Sequence, residues 1–103
     1  MKNSEFSHLA LTARKSIEEA EHKWAMETIA MVEEEMVKKI RATPREKEWR
    51  VPVNRDLGQY TYPAAYRILS RHRINRTDLE LIFETNRDKP DYLYFKFKLE
   101  NER

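Results

Sequence analysis

The chain has 103 residues, 20 Lys and Arg against 18 Asp and Glu for a net charge of +2, and no cysteine. That length supports a single domain spanning 1–103 and is too short for two, while the absent thiols exclude a disulfide framework, a thiolate nucleophile and a cysteine-based zinc site. A cysteine-free chain suits a reducing compartment. With no apolar run of about 18 residues, and no apolar core in Met1–Phe6, the expectation is a cytoplasmic protein without a membrane contact.

Charge is unevenly spread. Residues 1–40 carry six cations against eight carboxylates, residues 41–76 nine against three, and residues 77–103 five against seven. Eight of the nine central cations are arginines, Arg41, Arg45, Arg50, Arg55, Arg67, Arg71, Arg73 and Arg76. The planar guanidinium fork pairs well with phosphates and carboxylates, so this segment is the one compositional pointer to a polyanionic partner.

The first predicted element is one long helix over 4–42. Ser4 is its expected N-cap, neither Gly nor Pro interrupts it, and Thr43-Pro44 ends it. Such a helix measures about 55 Å, roughly twice the diameter of a compact domain of this size, so part of it must project. It carries two apolar stripes. Phe6, Leu9, Ala13, Ile17, Ala20 and Trp24 form one; Ala25, Ile29, Val32, Met36 and Ile40 form another, about 130° round the helix. The second stripe matches packing on the chain's own sheet. The first would be left in water, which predicts that it packs on another copy or on a partner. The alternative is a bend near residues 24–28 that folds both stripes onto one core.

Glu48–Val53 alternates Trp49, Val51 and Val53 with polar residues, and its Pro52 suggests an edge strand. Asn54–Thr61, with the only glycine, Gly58, reads as a loop. Tyr62–Arg73 reads as a second helix with Pro63 in its first turn and Thr61 or Tyr62 as cap; its apolar side holds Tyr62, Ala65, Ile68, Leu69 and His72, with Arg67 and Arg71 facing outward. Leu79–Thr85 and Tyr92–Leu99 both alternate around "NRDKPD", which predicts a hairpin. Pairing Leu79 with Leu99, Leu81 with Phe97 and Phe83 with Phe95 gives one apolar face and sets Lys96 diagonal to Glu80 and Glu84 on the other.

The expected class is therefore α+β in the order α-β-α-β-β: a projecting helix followed by a compact portion over 43–103, with a three-stranded, mostly antiparallel sheet covered by helices on one face. This run of a charged helix, a short strand, a second helix and a hairpin ending in "DYLYFKFKLE" resembles short uncharacterised α/β proteins encoded by bacteriophages. The resemblance covers most of the length as a pattern without a diagnostic motif, and transfers no site residue. It implies an accessory role in a host cytoplasm, in virion assembly or in binding a host factor.

Catalytic signatures are sparse. His8, His22 and His72 show no metal-ligand spacing, and His72 reads as a hydrogen-bonded histidine on a buried helix side. Asp78, Glu80 and Glu84 with Lys96 and Lys98 loosely resemble a PD-(D/E)xK nuclease, but Lys96 and Tyr94 stand where that motif needs a metal-holding carboxylate. Cross-strand ion pairing accounts for the same residues. The reading is a non-enzymatic protein with no cofactor.

Two binding functions remain. In the first, Phe6, Leu9, Ala13, Ile17, Ala20 and Trp24 form a protein–protein interface, with a homodimer the simplest partner; strict heptads are not sustained, which favours a short bundle-like contact. In the second, Arg67, Arg71, Arg73 and Arg76 track a nucleic-acid backbone, with the hairpin as a possible wing and Tyr92 and Tyr94 as a stacking platform. A solvated helix face explains the same arginines, and Glu80 and Glu84 would repel phosphates.

Overall fold

The computed structural model describes residues 2–54 and 57–100, with side chains from Glu5 onward. The elements run α1 (Lys2–Ala42), β1 (Glu48–Pro52), α2 (Tyr62–His72), β2 (Leu79–Asn86) and β3 (Lys89–Lys98), an α+β fold. The three strands form one fully antiparallel sheet in the order β1-β3-β2. No helix among the described residues is long and apolar enough to cross a membrane.

Helix α1 is continuous over 41 residues. A straight helix of that length measures about 60 Å, and the molecule's longest dimension is 66 Å against 33 Å and 21 Å for the others. The helix therefore does not fold back near residues 24–28. It begins at Lys2, so Ser4 lies inside the first turn and does not precede it as a cap; the Ser4 side chain lies outside the described residues.

Only the second stripe supplies fully buried core residues. Ala25, Ile29, Val32 and Met36 are buried, and Ile40 packs at the margin. They meet Ala65, Ile68 and Leu69 of α2 and the apolar sheet face formed by Trp49, Val51, Val53, Leu79, Leu81, Leu93 and Phe95. Both helices thus cover one face of the sheet. Trp49 ties the end of α1 to β1: its indole N–H donates to the Thr43 carbonyl at 3.1 Å, and its ring stacks on Phe97 with centroids 5.9 Å apart.

Proline and asparagine shape the edge. Pro52 sits on β1, which pairs only with β3, so its missing N–H falls on an edge strand as expected. Beyond it Val53 N–H donates to the Leu93 carbonyl, and the Asn54 carboxamide both accepts from Leu93 N–H at 2.7 Å and donates to the Asp91 carbonyl at 3.2 Å. A side chain here carries on the ladder after the strand ends. Thr61 caps α2, its hydroxyl accepting from Ala64 N–H at 3.3 Å, with Pro63 in the first turn.

The hairpin forms with a register different from the sequence expectation. Leu79 faces Phe97, Leu81 faces Phe95 and Phe83 faces Leu93, a shift of two residues from the pairing of Leu79 with Leu99. Side-chain alternation has period two, so a two-residue shift keeps the apolar set on the core face and is invisible to patterning. The turn sets the difference. β3 begins at Lys89, leaving Arg87 and Asp88 as a tight connection in which Asp88 N–H donates to Asn86 Oδ1 at 3.2 Å. Pro90 and Asp91 together oppose Thr85, a bulge that accommodates the proline inside a strand.

Candidate interaction surface

Two surfaces hold the candidate residues: the N-terminal arm of α1 and the basic region around α2. The arm is helical because residues 5–23 contain neither Gly nor Pro and are rich in good helix formers. As far as Ala20 it is exposed and clear of the body, because the stripe that α1 buries begins only at Ala25. Along it Phe6 is 66 %, Leu9 63 % and Ile17 60 % exposed, and Ala13 and Ala20 between them are exposed as well. The structure thus sets these five in one solvent-facing line.

Trp24 is the exception. The expectation of an unburied indole is corrected: Trp24 is half-buried, packs against the core and lies tilted on Tyr60 with ring centroids 4.7 Å apart. The cause is the loop before α2. Gly58, at φ of 61°, holds a left-handed turn that brings this loop beside the indole, where a Cβ on Gly58 would lie 3.9 Å from Trp24 Nε1. Trp24 therefore forms the foot of the arm, shared between the stripe and the body. Sequence reading missed Leu11, 64 % exposed on the arm. Stepping 100° per residue puts it in line with the core stripe, and it is bare only because the body stops short of it.

The two helices meet at the last turn of the arm, just above its foot. Arg67 approaches Glu21 at 3.7 Å, and the Nδ1 atoms of His22 and His72 lie 3.2 Å apart with the rings edge-on. His72 is half-buried at this crossing, so the expected core histidine is a bridge between α1 and α2. Partial burial first, then the neighbouring His22 and Arg71, hold its pKa below the ordinary histidine value, with Glu21 opposing them.

The basic residues do not form a free row. Arg67 pairs with Glu21; Arg73 donates to the Leu79 carbonyl at 2.8 Å; Arg76 lies 3.2 Å from Glu33 and 3.8 Å from Asp78. Arg71 is exposed. Arg55 lies outside the described residues. Three of the four arginines singled out from the sequence thus contact acceptors within the chain.

The uncovered sheet face is also occupied by its own contacts. Lys96 stands opposite Glu80, 3.3 Å away, and reaches Glu48 at 3.8 Å. Arg50 bonds Glu48 at 2.8 Å, its hydrogen bond holding the Glu48 carboxyl below the usual range, and lies over the Tyr94 ring at 5.2 Å. Tyr94 is only 2 % exposed, and its hydroxyl donates to Glu84 at 2.8 Å. A ring covered in this way is no open stacking platform. Among the described residues no group of three or more His, Asp or Glu side chains is placed to hold a metal ion.

Comparison with family models, curated proteins and solved structures gives no match for this chain.

Proposed function

We propose that this chain is a non-enzymatic assembly protein that associates through the exposed stripe on the arm of α1. The observation that carries this reading is the line of Phe6, Leu9 and Ile17, each at least 60 % exposed, on a helix segment that the body does not cover. Scattered apolar residues on a surface are ordinary, but a continuous line of them marks an interaction site. The helix itself adds a second reason. The segment from residue 5 to residue 20 is exposed throughout, and a helix of that length is marginally stable in water by itself, so pairing its apolar face both buries the stripe and holds the arm helical.

The role fits an accessory protein of the kind encoded by bacteriophages, one that acts by binding. A nucleic-acid contact by the basic 41–76 segment has less support, because Arg67, Arg73 and Arg76 already have partners in the chain.

Hydrogen exchange along the arm tests the reading. Backbone amides of residues 8–20 are expected to exchange slowly at high protein concentration and at least tenfold faster on dilution, while those of Val32 and Phe95 stay protected throughout. Fast, concentration-independent exchange in the arm would overturn self-association.

A further inference from the structure

We infer that the occupant of the stripe is a second copy of the arm running antiparallel, in a register that sets Phe6 of each copy against Trp24 of the other. This rests on the self-association proposed above and adds to it a partner orientation and a register. The stripe repeats after 11 residues, Phe6, Leu9 and Ala13 being followed by Ile17, Ala20 and Trp24. An 11-residue period corresponds to about 3.67 residues per turn, close to that of an undistorted helix, so two straight arms stay in contact with little supercoiling.

Read backwards, the stripe complements itself. Pairing residues whose numbers sum to about 30 sets Phe6 against Trp24, Leu9 against Ala20 and Ala13 against Ile17. In both inner pairs a bulky side chain meets a small one, and Ala13 and Ala20 allow the close approach of packed helix axes, about 8 Å. In the outer pair Phe6 lands on the indole at the arm's foot, where Trp24 and Tyr60 already form a tilted aromatic pair with centroids 4.7 Å apart. A parallel pair would instead set Ala13 level with Ala13 and Ile17 with Ile17, leaving gaps beside crowded points.

The flanks select the same orientation. At 100° per residue, Glu5, Thr12, Ser16 and Lys23 follow one edge of the stripe. An antiparallel two-fold brings this edge against itself, which places Glu5 beside Lys23 at both ends and the uncharged Thr12 and Ser16 between them. On the other edge the two Arg14 side chains come near the axis, but Arg14 lies about 100° round from the centre of the stripe, where exposed guanidinia are screened by salt.

The absence of cysteine makes the test direct. Leu9→Cys and Ala20→Cys, both at exposed positions, are treated with a short bismaleimide, each alone and then mixed after subunit exchange. The mixture is expected to yield cross-linked dimer at least tenfold in excess of either variant alone, because antiparallel pairing leaves identical positions about 16 Å apart along the axis. Efficient cross-linking of either variant alone would overturn the antiparallel register while leaving self-association standing. Dimers in solution with no cross-link from any combination would place the contact off the stripe, and a wild-type monomer would remove the second copy altogether. Charge reversal adds an independent readout: Glu5→Lys and Lys23→Glu are each expected to weaken the dimer, and the double variant to restore it.

Discussion

The indole of Trp24 lies tilted against the ring of Tyr60, their centroids 4.7 Å apart, and within one turn beyond this contact, past Glu21 and His22, α1 leaves the body of the protein. On its C-terminal side the helix buries Ala25, Ile29, Val32 and Met36 against the sheet; on its N-terminal side the stripe faces water. The same helix therefore serves the fold with one half and leaves an apolar stripe in water with the other, the half we propose for assembly.

Substitutions on either side of this contact should separate the two roles. Trp24→Ala removes a half-buried ring from the body and is expected to cost about 2 kcal/mol, less than the 3–5 typical of a fully buried aromatic. Phe6→Ala and Leu9→Ala remove exposed groups, and in monomer at high dilution should change stability by less than about 0.5 kcal/mol. Urea denaturation followed by circular dichroism measures both.

Tyr94 predicts an alkaline limb in the stability profile. Its ring is buried on the open sheet face, and burial first, then the hydrogen bond to Glu84, raises its pKa above the ordinary value of 10.0. In the unfolded chain the phenol ionises at that ordinary value, before it does in the folded protein. The stability it contributes is thus complete below pH 10 and is lost as pH rises through the higher folded value. Tyr94→Phe should lower stability by about 1 kcal/mol at neutral pH, through the lost hydrogen bond, and flatten the profile above pH 10. Denaturation series from pH 8 to 11 on both proteins check this.

The His22–His72 contact predicts an acidic limb. The folded pKa of His72 is depressed below 6.5 by burial, by His22 and by Arg71, against the pull of Glu21. A depressed group stabilises the fold above its unfolded pKa, and that stability is lost as pH falls through the folded value. Stability should therefore fall below about pH 6.5, and a His72→Gln variant should fall less steeply over the same range. The shift of the His72 ring resonance with pH gives a direct reading of the same group.

Much of this architecture was legible in the residues. Two stripes on one helix, a proline marking an edge strand, Thr61 before Pro63 and two alternating segments around a turn each have a local cause, and each element formed where its cause lies. What failed to show depends on contacts between distant parts of the chain. The hairpin register slipped by two because period-two alternation does not distinguish even shifts, and the decision fell to a two-residue turn and a bulge at Pro90. Trp24 looked like a member of the free stripe because nothing local says that the loop at Gly58 reaches back to cover it. His22 and His72 are 50 residues apart, and Tyr94 is buried on a face that reads as solvent-exposed because Arg50 from β1 lies over it. For the candidate site, the arm's exposure followed from helix length against body size, whereas the loss of three arginines to internal partners required the fold.

The central claim is that the exposed stripe, and Ile17 at its middle, holds an assembly together. Light scattering on the wild type and on Ile17→Asp, at matched concentrations, tests it most directly. The account predicts twice the chain mass of 12.5 kDa for the wild type, and the single chain mass for Ile17→Asp with an unchanged unfolding midpoint when both are monomeric. A wild type that scatters as a single chain at hundreds of micromolar, or an Ile17→Asp variant that stays dimeric, would contradict it.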